Sequence, residues 1–416
     1  MDPGTLAEIQ KFCEIADQKN EDSPFLVFDV DDVVWKVKHW REKMPRIDPH
    51  YAVKCNGDHV LLRTLAALKV GFDCASKVEI ETIVNLDVPA DRIIYANTIK
   101  GFSHLRRAAE LKVDFMTFDC EEELLKIKDL YPSAKLILRL KMTTSSGFIK
   151  MNDKFGCDEA EVPHLLDVAL KQKLSVVGVS FHIGCMIKDP YDYAIAIKMC
   201  RKVFDTAEKK GITMYILDIG GGFSGFKPSS SDKKETFAEI AAVINQVIDE
   251  HFPSNGSFKI IAEPGRYFAL TAFTLCSKII GKKKRFIDNE EDTMYIINEG
   301  VYGLFIHRIF HDIKPVMKEI SSSSKPKRSS VWGQSCDPLD VILEKCMMPD
   351  LKVGDWIVFE EMGAYTIACA SNFNGFEKAK VERVASQKTL TELEKMAGSE
   401  TSRILYEEIK LKEMDN

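Results

Sequence analysis

Up to residue 266, short apolar, β-branched runs alternate with longer amphipathic stretches. Strand-like runs fall at 51–54, 71–74, 93–96, 114–118, 135–140, 176–182, 214–220 and 258–263. Between them lie helical patterns such as VLLRTLAAL at 60–68 and FAEIAAVINQV at 237–247. Eight strands alternating with helices predict an α/β fold, a TIM-like (β/α)8 barrel. The same pattern also allows a doubly wound parallel sheet. Near-continuous apolar strands fit burial on both faces of a parallel sheet.

Beyond Arg266 the pattern changes. Runs at 293–297, 330–332 and 355–359 read as strands with few long helices between them, so a β-rich C-terminal domain is expected. The run at 24–30, PFLVFDV, is strand-like as well. The expected organisation is an N-terminal segment 1–29 that joins the β domain, a barrel at 30–268, a β domain at 269–385 that contributes to the active site, and a charged helical tail at 386–416.

Composition narrows the function. The 416 residues exceed one ordinary core, in keeping with two domains. A net charge of −6 without a basic patch argues against nucleic acid as a partner. No run reaches the roughly 18 apolar residues of a membrane span. The start, MDPGTLAEIQ, lacks the basic-then-apolar order of a signal peptide. The 11 cysteines are scattered without a CxxC pair, which reads as free thiols in a reducing, cytoplasmic compartment and gives no metal site.

Barrels place chemistry at the C-terminal ends of their strands, and uncommon residues gather there. Lys54 ends the first run. It is either a snorkelling or ion-paired lysine or one that forms a covalent link to a carbonyl. Asp218-Ile-Gly-Gly-Gly-Phe223 ends the seventh run, and Gly220, Gly221 and Gly222 suit backbone N–H groups approaching an anion such as phosphate. Glu263-Pro-Gly-Arg266 ends the eighth. Its carboxylate is either a plain ion-pair partner or the partner of a cofactor's pyridine nitrogen, and Arg266 suits phosphate. His182 ends the sixth run, as a structural histidine or as a ring stacked on a planar cofactor. Asp73 and Arg139 end the second and fifth.

With these motifs assembled, the sequence resembles the eukaryotic ornithine decarboxylase family. The likeness runs from about residue 24 to about 385 through PHYAVKCN, GFDCASK, KFGC, SFHIG, LDIGGGF, IIAEPGRY, EGVYG, WGQSCD, VGDW, MGAYT and FNGF. It implies a decarboxylase dependent on pyridoxal 5'-phosphate, acting on a small amino acid as a homodimer with active sites at the subunit boundary. By motif, Lys54 resembles the lysine that carries the cofactor, Glu263 the partner of the ring nitrogen, and His182 the residue on the ring face. Gly220, Gly221, Gly222, Arg266 and Tyr365 match phosphate-binding positions, and Asp73 and Arg139 other cofactor-site positions. Cys336 resembles the catalytic cysteine from the second subunit. Asp337 resembles one of two acids that hold the substrate's distal amine, and Phe373 lines the same pocket. Lys154 and Asp340 match an ion pair across the dimer. Antizyme inhibitor, a non-catalytic relative, makes antizyme binding the alternative from another class. The stretch 105–126 matches the antizyme-binding region, with Arg106 and Arg107 on a helical pattern.

Three departures bear on the expectation. Cys185 stands where the family's phosphate-binding serine is expected, and a thiol donates more weakly than a hydroxyl. Aligned without gaps, the family's second substrate aspartate becomes His311, with Asp312 one place later and Ile306 replacing an asparagine. In extended chain a one-residue slip turns a side chain to the other face. The expected substrate is therefore less charged than ornithine, with leucine as the example, and an ordinary ornithine decarboxylase feeding polyamine biosynthesis is the alternative. The chain also has no counterpart of the vertebrate enzyme's long C-terminal degradation tail, so turnover through such a tail is not expected.

Overall fold

The computed structural model describes residues 2–142, 154–184, 187, 189–226, 236–254, 256–287, 289–308, 316–319, 325–397 and 407–412. These form two units, one of residues 35–268 and the other of residues 1–34 and 269–416.

The first unit is a closed barrel of eight parallel strands. In chain order, after a strand β1 (Phe25–Asp29) of the other unit, they are β2 (Ile47–Ala52), β3 (Gly71–Cys74), β4 (Ile93–Tyr95), β5 (Phe115–Phe118), β6 (Lys135–Leu140), β7 (Ser175–Phe181), β8 (Ile216–Asp218) and β9 (Lys259–Ala262). β9 pairs back onto β2 to close the ring. Ile94, Ala96, Ile137, Val177, Ile216 and Ile261 pack together as an apolar plug, with Phe115 and Tyr215 against it. The plug makes the barrel a filled core whose chemistry is confined to its rim. Outer helices start at capped turns. Asp58 accepts from the Val60 and Leu61 N–H groups at the start of His59–Ala67, and Ser76 from Glu79 N–H at the start of Lys77–Val84.

One barrel strand differs from its expected span in a way that matters. β2 stops at Ala52, and Val53–Cys55 forms a single 3-10 turn, so Lys54 lies past the ladder. The loop after β9 explains this. Ala52 N–H donates to Pro264 O at 3.2 Å, and Gly265 sits so close that a Cβ there would lie 2.9 Å from the Cys55 Cβ.

The second unit is a nine-stranded mixed sheet. It comprises β1, β10 (Phe273–Ile287), β11 (Glu290–Ile297), β12 (Val316–Glu319), β13 (Lys327–Trp332), β14 (Val341–Met348), β15 (Trp356–Glu360), β16 (Lys380–Ala385) and β17 (Lys410–Leu411). β1 lies between β10, antiparallel, and β16, parallel. The helix Pro3–Gln18 buries Ile9, Phe12, Cys13 and Ala16 against Phe25, Val27, Cys276, Trp356, Val358 and Val384. The tail is not helical throughout: after the helix Gln387–Met396, the chain adds β17 beside β16. Lys412 explains the docking. Its ammonium reaches Asp29 and Asp31 at 2.8 Å each and Asp2 at 3.2 Å. Among the described residues no helix is long and apolar enough to cross a membrane.

Candidate active site

The rim of the barrel collects ionisable groups from neighbouring strands. Ala52 and Asp73 are register partners in β2 and β3, and the turn after Ala52 lets the Lys54 ammonium pair with the Asp73 carboxylate. Asp73 is fully buried while Lys54 keeps 42% of its side chain exposed. The lysine is thus held by an acid that cannot leave and presents its flank to the mouth. Among the described residues Asp73 Oδ1 has no hydrogen-bond partner, and neither has Arg139 Nη2, whose guanidinium lies 4.7 Å from the Phe155 ring centre.

Across the ring, Arg139, Ser180 and Asp218 are successive register partners on β6, β7 and β8. Asp218 ends β8 out of contact with solvent and accepts from Gly220 N–H at 2.9 Å. Burial pushes its carboxyl up to about 7. Glu263 follows β9 and faces Asp218; burial, then Asp218 and Asp73, push its carboxyl well above the usual range. With both carboxyls raised by burial, and Glu263 further raised by Asp218, the pair favours keeping one proton. Glu263 Oε1 accepts no N–H or O–H among the described residues.

His182 follows β7. Its Nδ1 accepts from Gly184 N–H at 2.9 Å, so the ring proton belongs on Nε2. Burial, helped by Arg139 and Lys54, brings its pKa down to about 3. The ring is neutral at any working pH.

The glycine run is demanded by packing as well as by conformation. Gly220 and Gly222 have φ of +64° and +105°. A Cβ on Gly221 would lie 2.9 Å from Glu263 O and 3.0 Å from His182 Nε2. Gly220 O accepts from Glu263 N–H at 2.7 Å, and Gly221 O from the Tyr193 hydroxyl at 2.9 Å. Glycine thus lets the β8 loop nest between Glu263 and His182. Arg266 opens the short helix Arg266–Ala269 directly after the Glu263 loop. Lys54, Asp73, Arg139, His182, the three glycines, Glu263 and Arg266 all belong to this one unit, while Cys185 lies outside the described residues.

The sheet unit carries a second constellation. Asp337 accepts from the Tyr302 hydroxyl at 2.7 Å and from Leu339 N–H at 2.8 Å. The Leu339 amide, then the Tyr302 hydroxyl, hold its carboxyl below the usual range. Tyr302 stacks near Phe373 with ring centres 4.4 Å apart. Asp340, buried, accepts from Val301 N–H at 2.8 Å and Ser335 N–H at 2.9 Å. Both of its oxygens are thus engaged within its own unit, and Lys154 of the barrel unit lies exposed with its ammonium 5.2 Å from the Phe155 ring. Cys336 is exposed. Tyr365 adopts φ of +58°, a conformation rare for a bulky side chain and typical of constrained functional loops. His311 and Asp312 lie outside the described residues. Arg106 is exposed on the helix Phe102–Glu110, but Arg107 is tied to Glu81 and Glu110.

Two residues of the rim were not singled out from sequence. Asp218 opens the glycine motif and was passed over for the glycines. Tyr193 has no local signature, since its hydroxyl meets the loop from a helix 28 residues earlier.

The rim fits a cofactor with a protonatable aromatic nitrogen: it brings together a buried carboxyl whose Oε1 has no donor among the described residues, a neutral aromatic side chain and a paired lysine. Comparison with known proteins agrees. The family described as "Pyridoxal-dependent decarboxylase, pyridoxal binding domain" matches residues 30–270. The chain is 43% identical over 392 residues to the ornithine decarboxylase of Mus musculus, covering 91% of this chain and 84% of that one. It is 42% identical over 379 residues to antizyme inhibitor 2 of Xenopus laevis, covering 88% and 82%. Among solved structures, the arginine decarboxylase of Paramecium bursaria Chlorella virus matches with a TM-score of 0.85 at 35% identity, over 91% of this chain and 100% of the other. The lysine decarboxylase of Selenomonas ruminantium matches with a TM-score of 0.79 at 33% identity, over 90% and 95%.

Proposed function

The chain belongs to the ornithine decarboxylase family of pyridoxal-phosphate-dependent decarboxylases, and from that premise we propose that it decarboxylates an L-amino acid whose side chain is less charged than ornithine's. Bound at the barrel rim, the cofactor supplies an electron sink for the pair left behind when CO2 departs. Lys54 would hold it covalently, with Asp73 orienting that lysine. Glu263 would face the ring nitrogen, and His182 would lie on the ring as a neutral aromatic. Gly220 to Gly222, Arg266 and Tyr365 would take the phosphate. Cys336 would hold a proton for the carbon that loses CO2.

The observation that carries the substrate reading is the state of Asp337. It is the one substrate acid kept from the family pattern, and it already accepts from Tyr302 and Leu339. The ungapped partner position is His311. An ammonium ion buried without enough partners costs several kcal/mol. Relatives named for ornithine, arginine and lysine keep those amino acids as the competing reading. The test is CO2 release from ornithine, lysine, arginine and leucine. Ornithine should be a weak substrate, and His311→Asp should raise kcat/KM for ornithine by about 1–3 kcal/mol, the scale of one charged hydrogen bond. Vigorous ornithine turnover, unaltered by that substitution, would refute the shift.

The working form we propose is a homodimer in which Cys336 serves the partner's Lys54. Mixing Lys54→Ala with Cys336→Ala protein should then restore up to about a quarter of the activity, since half the dimers are hybrid and each hybrid has one intact site. The free thiols of the ten described cysteines favour a reducing, cytoplasmic setting. Similarity to an antizyme inhibitor supports antizyme binding as a second role.

A further inference from the structure

The loop that carries Cys336 is held by a side chain outside the sites assigned so far. Cys336 N–H donates to Asn374 Oδ1 at 2.9 Å. Asn374 itself sits in a tight turn: φ is +56° there and +79° at Gly375, and Phe376 N–H closes onto Phe373 O at 3.4 Å. Two successive residues of positive φ make a turn of the type that favours Asn-Gly. The plain explanation for Asn374 is therefore its tolerance of that backbone. The hydrogen bond to Cys336 goes beyond it, because the turn would form equally with glycine.

Neighbouring ties show what this contact adds. Asp340 accepts from Val301 and Ser335, joining the Tyr302 turn to the first part of the Cys336 loop. Ser371 N–H donates to Tyr302 O at 2.9 Å, joining the Phe373 loop to the Tyr302 turn. Asp337, directly after the cysteine, is fixed by Tyr302 and Leu339. Cys336 is the exposed residue between these anchors, and the Asn374 carboxamide is what the structure records on its amide.

We propose that Asn374 is a positioning residue: it fixes the backbone at Cys336, and so the direction of the thiol, by accepting that amide. The proposal rests on the decarboxylase reading and on Cys336 as its thiol. Three substitutions separate the turn from the tie. Asn374→Gly keeps the backbone and removes the acceptor. Asn374→Asp keeps both. Asn374→Ala loses both and serves as the control for strain.

Amide hydrogen exchange at Cys336, read on the intact enzyme without substrate, should quicken about tenfold in Asn374→Gly and stay at the wild-type rate in Asn374→Asp, as expected for loss of one hydrogen bond. With the panel amino acid that wild type decarboxylates fastest, Asn374→Gly should lower kcat about tenfold while KM stays within about twofold. Asn374→Asp should retain most of kcat. Adding Asn374→Gly to Cys336→Ala should cost nothing further, since there is no thiol left to aim. Unchanged exchange in Asn374→Gly would overturn the tie whether or not any substrate is turned over. Quickened exchange with unchanged kcat would overturn the positioning role and leave Asn374 a turn residue. Quickened exchange in Asn374→Gly, alongside a wild type that releases CO2 from none of the four amino acids, would instead defeat the decarboxylase reading, and the role of Asn374 in catalysis with it.

Discussion

His182 offers a prediction whose sign and size follow from its surroundings. In the fold its ring is neutral, with Nδ1 accepting from Gly184 and a pKa brought down to about 3. In the unfolded chain the ring takes a proton below the ordinary value of 6.5. Between those values the unfolded chain binds more protons, so stability is fully present above pH 6.5 and is lost as pH falls toward 3. Each unit of separation is worth about 1.36 kcal/mol, so the drop from 6.5 to about 3 gives nearly 5 kcal/mol as a ceiling. Because His182 is only half-buried, solvent screening trims this toward about 3 kcal/mol. His182→Gln keeps an acceptor and removes the titration. Urea unfolding of the cofactor-free protein, followed from pH 7.5 to 4, should show stability falling less steeply in the variant, by about 1 kcal/mol per pH unit near pH 5. Buried acids and the second low-pKa histidine, His50, are common to both proteins and cancel in the comparison. Parallel curves across this range would mean that the ring is protonated in the fold, and the neutral stacking partner would be lost with it.

Other substitutions test the remaining parts. Lys54→Ala should remove the visible absorption band of bound cofactor together with CO2 release; a retained band of equal intensity would place the covalent link elsewhere. Glu263→Gln replaces a carboxyl that already tends to hold its proton, so the melting temperature should stay level or rise while CO2 release falls at least about a hundredfold; unaltered release would separate Glu263 from the chemistry. Asp340→Ala strips acceptors from one buried and one half-buried amide and should cost about 2–4 kcal/mol in denaturant unfolding. A loss below about 0.5 kcal/mol would show that water takes over both donors.

How far the sequence could be read depended on burial. The eight barrel strands were legible because both their faces are covered, leaving short apolar runs between helical patterns. β10 and β14 were harder. The outer half of β10, with its Lys282 to Arg285 run, is kept in the sheet by cross-strand ion pairs such as Lys284 with Glu291 and Arg285 with Asp292, which hydrophobic periodicity does not register. β17 is two residues long and is held by Lys412, a pairing with acids some 380 and more positions away that no local pattern encodes. At the site, residues whose function needs a rare side chain stood out. Those that act by accepting a hydrogen bond did not: Asp218 and Asn374 look like ordinary turn residues until their donors are seen.

Charge balance at the rim ties the site together. Asp73, Asp218 and Glu263 are three acids facing two cations, Lys54 and Arg139, as the mutual influences on Glu263 record. Were all three ionised, one negative charge would stand uncompensated out of solvent contact, which costs several kcal/mol. Burial raises the carboxyls of Asp218 and Glu263, and one of them keeping its proton removes that charge. Glu263 could give that proton to a basic ring nitrogen held there and remain as its ionised partner, so the balance would be kept without uptake from solvent. A neutral ring without such a nitrogen gains nothing from the pair, and an anion placed there would add to the excess. The rim thus selects for a protonatable heterocycle before any phosphate contact is counted. That selection uses none of the positions where this chain departs from its family, because the roles proposed by motif are phosphate binding for Cys185 and substrate binding for His311. Loss of a hydroxyl at 185 should accordingly weaken the grip on the cofactor while leaving its protonation state, and hence the type of chemistry, unaltered.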